Sequence, residues 1–457
     1  MKKWTSILII TLALILLSYF ITGLLVKRTI NKNINAYHDT SIMSVHLDQY
    51  QQGWFASHAS LTVKAHLPEQ KTTDKNGTVS VSPPFDFDVR FPLQILHGPF
   101  IFTDSGLRFG FGYVTTRPQT HYGALVDYFN NTLFRYNLPS LSMKGKSGDE
   151  DFQFDWLGLS SQLRISPNVD KLDGHLTALG LNGSANNFQL QSGEIKDKFR
   201  FTYTQGLWLA QTLLSIPSVA ISIGDKPEFN LEGFSLGLES NLKGGALNYN
   251  CTLSLSKLFN QGRSYGPGSF ILNIRNLDPK AMADIHRLEW TMLENNQNPD
   301  LNLMALLAEL PKLLSRGSEL DLSEMYLVMP EGKITGKLKI SIPKNDIVDP
   351  AQLLTKVQGQ GQFRAPITVV KQLMLATIES DEDKTSLPSA SNVTPSTDSS
   401  IAPTPTDPQT QVTTRLQNYI DKGLLKIEGN DYVLDIKIEN QQVFVNGKVF
   451  NPDMLNQ

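Results

Sequence analysis

Cys251 is the only cysteine in 457 residues. That excludes an intramolecular disulfide and a cysteine-built zinc site, and separates the chain from small secreted disulfide scaffolds. An excess of one charge is missing too: 41 Lys and Arg stand against 44 Asp and Glu, a formal net charge of −3, with no long basic run. The balance argues against a nucleic-acid partner. The usual signatures of chemistry are also missing. There is no G-x-S-x-G elbow, no G-x-x-x-x-G-K-[ST] loop, no H-E-x-x-H helix and no C-x-x-C pair. Neither an enzymatic activity nor a cofactor is therefore expected.

One long apolar run dominates what remains. Residues 7–26, from Ile7 to Val26, carry no charge and are mostly Ile and Leu. Twenty helical residues rise about 30 Å, the thickness of a bilayer's hydrocarbon core. Lys2 and Lys3 precede the run, and Lys27 and Arg28 follow it. It exceeds the roughly 7–15 apolar residues of a cleavable signal, and no small-x-small site or cysteine follows. The expected reading is an uncleaved transmembrane anchor at residues 1–28, with the membrane as partner through Ile7 to Val26. A long domain translocates largely regardless of flanking charge. Residues 30–457 are therefore expected outside the cytoplasm, held to the membrane by a single pass.

Past the anchor, residues 29–49 are polar and read as a stalk or a leading strand. Period-two alternation then sets in. Leu61, Val63, Ala65 and Leu67 alternate with polar residues, as do Phe85, Phe87, Val89 and Phe91, and then Leu107, Phe109, Phe111 and Tyr113. The pattern returns at residues 152–156, 188–190, 234–238, 253–255, 270–274 and 338–342, and each stretch reads as a strand with one buried face. Asp173-Gly174 and Asn182-Gly183 read as turns between strands. Helices are fewer. Asp278-Pro279, Asn298-Pro299 and Asp349-Pro350 each place a cap before a proline at the first helical position. Residues 366–379 form a fourth helix, with Ile367, Val370, Leu373 and Met374 inward, and residues 206–216 are a candidate fifth. The fold class expected is mainly β (α+β): a large antiparallel curved sheet with a few covering amphipathic helices, preceded by one transmembrane helix.

Composition shifts at residues 381–411, rich in Ser, Thr, Pro, Asp and Gln. This stretch has too little apolar surface to offset its ordering entropy and is expected to be a disordered loop inserted into the β-rich domain of residues 29–380. Residues 412–457 read as a short helix and strands that return to the main sheet, because so few strands are not stable alone. Asn446-Gly447 is a strong hairpin signal there.

Candidate functional residues are sparse. His38, His46, His58 and His66 gather within thirty residues, but a metal site needs ligands converging from several elements; they read as solvated strand residues, and no metal site is expected. Asp86 and Asp88, followed by Arg90, read as a solvated charged face. The glycines of residues 262–268 precede a strand, not the helix that a phosphate loop needs. Trp54 and Phe55, after Gly53, are the candidate ligand-binding residues. A groove lining and a core plug both fit them, and the turn at Gly53 favours the rings packing under the first strand.

Several stretches together resemble the YdgA-like family of bacterial envelope proteins. They are residues 50–57 with Gly53-Trp54-Phe55, His97-Gly98-Pro99, residues 156–159, Gly206-Leu207-Trp208, residues 276–278, 423–429, and Asn446-Gly447. The resemblance implies a β-rich protein facing the periplasm from an inner-membrane anchor, of unassigned biochemical role and with no catalytic residues to carry over. Two functions then compete. In one, an apolar sheet face handles lipid or another amphiphile; in the other, the face is a closed core and the protein binds an envelope protein as a structural or assembly factor. A homo-oligomer fits either.

Overall fold

The computed structural model describes residues 2–36, 43–67, 70–73, 79–82, 85–103, 106–116, 122–147, 150–295, 299–344, 349–385 and 407–454. The fold is mainly β, with a large antiparallel sheet. The N-terminal apolar helix is α1 (Lys2–Ala36), followed by α2 (Pro279–Asn295), α3 (Pro299–Leu313), α4 (Pro350–Leu354), α5 (Ile367–Thr385) and α6 (Pro408–Asp421). Three of them begin at the prolines that the sequence marks. The residues divide into two compact units: Met1–Pro227, Ser235–Asn241 and Pro279–Leu307 form one, and Glu228–Phe234, Leu242–Asp278 and Ala308–Gln457 the other.

The first unit is a run of antiparallel neighbours: β1 (Met43–Gln52), β2 (Ala56–Leu67), β3 (Phe85–His97), β4 (Gly112–Thr116), β5 (Tyr122–Val126), β6 (Thr132–Leu138), β7 (Leu159–Ile165), β8 (Lys171–Ala178), β9 (Ile195–Thr204) and β10 (Leu207–Ile223). Three readings of the sequence change here. Residues 29–36 continue α1 instead of leaving it as a stalk, and Thr29 is buried, bonding Leu25 through its hydroxyl. Residues 206–216 lie in β10, not in a helix; their many apolar residues fit a long central strand as well as they fit a helix. Asp173-Gly174 and Asn182-Gly183 lie within strands. Gly174 makes room across the ladder, since a Cβ there would sit 2.7 Å from the Phe199 ring.

The expected strand through residues 107–113 is broken in two. Phe100–Thr103 and Gly106–Phe109 form a separate hairpin, and β4 starts at Gly112. Between them the backbone passes close to its neighbour: a Cβ on Gly98 would fall 1.7 Å from the Gly110 carbonyl oxygen.

A line of breaks crosses the sheet beyond β6. Leu141–Ser147, Glu150–Trp156, Leu181–Ala185 and Phe188–Ser192 prolong β6, β7, β8 and β9, and Ser192 pairs with Val219 of β10. At this line the apolar alternation slips by one residue in all five strands: Leu138 to Leu141, Trp156 to Leu159, Ala178 to Leu181, Ser192 to Ile195, Ile216 to Val219. Gly158 and Gly180 stand there with φ of 119° and 115°, a backbone that side chains rarely adopt. The chain bonds straight across, Leu157 N–H to the Gly180 carbonyl and Leu179 N–H to the Gly158 carbonyl.

In the second unit, Ala246–Leu255, Gly268–Leu277, Glu319–Met329, Gly332–Ser341, Gln358–Pro366 and Asp431–Glu439 pair in that order, all antiparallel. Val412 and Leu416 of α6 pack with Tyr432, joined by Ile367, Val370 and Met374 of α5. Leu373, expected inward, is exposed. Helices occupy both ends of the stretch expected to be disordered: α5 runs to Thr385, and α6 starts at Pro408 under an Asp407 cap that accepts from the Thr410 N–H. Residues 386–406 lie outside the described residues. Asn446-Gly447, with φ of 50° and 82°, forms the two-residue turn between paired Val445 and Lys448.

Candidate functional site

The C-terminal half of α1 is docked on the sheet. Val26 is wholly buried with Ala59 of β2, Ile95 of β3 and Val126 of β5, and Ile30, Leu93 and Val114 pack around them. Each fully buried aliphatic side chain of this kind contributes about 1.5–3 kcal/mol. Polar groups fix the depth and angle of the dock. The Thr22 hydroxyl donates to the Gly98 carbonyl at 2.7 Å, and the Tyr19 hydroxyl to the Phe100 carbonyl at 2.8 Å. Lys27 lies 4.8 Å over the Tyr50 ring.

His97 sits at the centre of this dock, 1% exposed. Its Nδ1 donates to the Trp54 carbonyl at 2.9 Å, which leaves Nε2 to accept from the Ser57 hydroxyl at 2.8 Å. Burial lowers the His97 pKa below its ordinary value, partly opposed by the bond to Trp54, so the ring is held neutral. The ring lies flat against Gly23 of α1, where a Cβ would meet it at 2.5 Å. A serine within reach of a histidine is the start of a nucleophile–base pair. Here Ser57 is 0% exposed and α1 closes over the ring, so the pair fastens helix to sheet and leaves no room for a substrate.

Trp54 and Phe55 are not under the first strand. They are 57% and 54% exposed, and they lie beside α1: Trp54 at 5.3 Å from the Phe20 ring, Phe55 edge-on at 5.1 Å from Tyr19. The expectation of a core plug fails because the turn at Gly53 carries both rings toward the helix, while Ser57 and Ala59 take the inward positions.

The face that α1 covers continues past it. Leu61, Phe91, Leu93, Val114, Ala124, Phe134, Tyr136 and Leu163 line an open cavity of about 380 Å3 on β2 to β7. The register makes this one face: Leu61 opposes Phe91, Leu93 opposes Thr116, and Phe134 lies between Ala124 and Leu163. Leu93 and Val114 belong both to the sealed cluster and to the cavity wall. Phe91, Phe134 and Tyr136 remain about two-fifths exposed. With almost no polar lining, the cavity suits an apolar occupant and is within the size of known ligand pockets, about 300–1,000 Å3.

A family described as "Bacterial protein of unknown function (DUF945)" matches residues 1–453. The chain belongs to the DUF945 family. No curated protein and no solved structure matches it. The DUF945 match takes in α1, the dock and the cavity alike.

In this DUF945 chain the other candidates stay apart from the cavity. His46 and His58 are exposed on β1 and β2, and His38 lies outside the described residues. Among the described residues, no three His, Cys, Asp or Glu side chains gather where they could hold a metal. Asp88 faces Lys64 at 3.6 Å in a solvated pair. Two stretches far apart in sequence do meet: residues 50–57 and His97-Gly98-Pro99 converge on α1 through the His97 bonds. The sequence reading missed Phe134, Tyr136 and Leu163. Alternation was the available signal, at Phe134, Tyr136 and Leu138, but it marks a buried-type face without saying what covers it.

Proposed function

We propose that this protein is an inner-membrane-anchored, periplasm-facing envelope protein, of the kind the YdgA-like resemblance implies, that binds a lipid acyl chain or a comparable amphiphile on its sheet. The observation carrying this reading is the apolar cavity of about 380 Å3 that prolongs the face beneath α1. An acyl chain needs a lining with few polar atoms, and this lining has few. The role proposed is binding; the Ser57–His97 pair is sealed under the helix and serves the dock. Anchoring by α1 keeps the cavity near the membrane that would supply the ligand.

The test is purification of the full chain in mild detergent, with mass spectrometry of the lipids and proteins that come with it. Ser161 lies in the cavity wall, and Ser161→Trp fills the space. Lipid retained by the wild type and lost by Ser161→Trp, with an unchanged melting temperature, is the expected result. Equal lipid on both proteins overturns the cavity. A stoichiometric protein partner in place of lipid favours the assembly role instead.

A further inference from the structure

The dock has an outer rim, and its composition is distinctive. Five apolar side chains stand beside α1 near Tyr19 and Phe20 and are exposed: Trp54, Phe55, Phe100, Phe102 and Phe109, from 43% to 76%. They come from two separate parts of the first unit, the turn before β2 and the Phe100–Thr103 and Gly106–Phe109 hairpin. Packing joins both to the helix through Phe20, Tyr19 and the Tyr19 hydroxyl bond to Phe100. Phe100 and Phe109 stack edge-on at 5.8 Å. None of these rings is needed to close the core, which lies deeper at Val26, Ile95 and Val126.

The level of the rim along α1 names its occupant. From Lys3 to Phe20 the helix rises about 26 Å, just short of the roughly 30 Å hydrocarbon core. Along that length the helix exposes Ile10, Leu12, Leu14, Leu16 and Leu17. The rim follows at Tyr19 and Phe20, and Lys27 and Arg28 come about 10 Å further on. Apolar run, then aromatics, then cations is the order in which a bilayer is layered from core to headgroups. A rim for a protein partner has no reason to fall at this height.

We infer that these five side chains insert into the interfacial layer of the bilayer that α1 crosses, so that the domain is seated on the lipid surface and not merely tethered to it. The inference stands independently of the cavity: the rim would seat the domain whether or not the sheet carries a ligand.

Spin labelling of the full chain tests it. Cys251→Ser removes the native thiol; Phe102→Cys and Trp54→Cys, both at exposed positions, then receive a nitroxide. The protein is reconstituted into phosphatidylethanolamine–phosphatidylglycerol vesicles, and a label at Lys146→Cys, a solvated position, serves as the aqueous reference. The expected result at both rim positions is loss of collisions with a water-soluble nickel chelate and a gain in collisions with oxygen, relative to the reference. Nickel collisions equal to the reference at either rim position overturn the inference, since that ring would lie in water. Shielding from nickel and oxygen together also overturns it, because it means a protein cover, from a second copy or another partner.

Discussion

One face of one sheet behaves in two ways. Beneath α1, Ala59, Ile95 and Val126 are buried to 8% exposure or less. Two residues along the same strands, Leu61, Leu93 and Ala124 line an open cavity. Strand register, alternation and residue types are alike on both sides of this boundary. What differs is a helix: α1 crosses the strands at Ala59, Ile95 and Val126 and keeps contact with the sheet as far as Asn33, and two residues further along the strands the face is open. Burial in a sheet is thus decided by the partner layer and not by the strand, and an identical pattern can be core at one end and open surface at the other.

Substitution in the sealed half should have the largest effect. Ile95→Ala removes a wholly buried side chain beside Val26 and leaves a cavity that the helix cannot fill; a loss of about 2–5 kcal/mol is expected in denaturant titrations of the full chain in detergent. If the loss is below that range, α1 is not firmly docked and the contrast collapses.

A middle-sized effect is expected at the polar centre of the dock. Ser57→Ala leaves the buried His97 Nε2 without its donor, at about 1–3 kcal/mol. The same ring makes the sealed half sensitive to acid. His97 has a folded pKa lowered from 6.5, chiefly by burial. Between the folded and unfolded values the unfolded chain binds more protons, so stability rises with pH there. The contribution is whole above 6.5 and is lost as pH falls through that value toward the folded one. The melting temperature should drop from about pH 7.5 to about pH 5, and His97→Gln should flatten the profile. A profile unchanged by that substitution would separate acid sensitivity from the dock.

In the open half, Phe134→Ala should cost least, within about 1 kcal/mol, because the ring already faces solvent. The same melts measure it. A loss as large as that of Ile95→Ala would mean that the cavity is closed in solution and the two halves are one core.

Much of the fold was legible in sequence because its signals are local. Prolines after Asp278 and Asp349 start helices where a missing N–H is harmless, and Asn446-Gly447 makes the turn that its left-handed backbone allows. Alternation found β2 and β3. The failures share a cause: long-range contacts overrode local chemistry. Gly174 reads as a turn, yet it is there for the Phe199 ring. Residues 206–216 read as helix, yet neighbours on both sides make them a strand. Trp54 and Phe55 read as packing under the first strand, but their position beside Phe20 and Tyr19 depends on a helix some thirty residues earlier. The cavity was the least legible of all, since nothing in Phe134 or Leu163 tells whether a layer lies above.

The line of breaks through Gly158 and Gly180 constrains how this sheet can change its length. Five strands shift their alternation together there, so their pairing survives only while all five keep the shift. Losing one residue from one strand at this line would turn the rest of that strand inside out relative to its neighbours. Additions at the hairpin tips, such as Asn186-Asn187 or Asn168-Val169, carry no such penalty. Homologous chains should therefore differ in length at the tips, and at the line only by changes made in every strand at once.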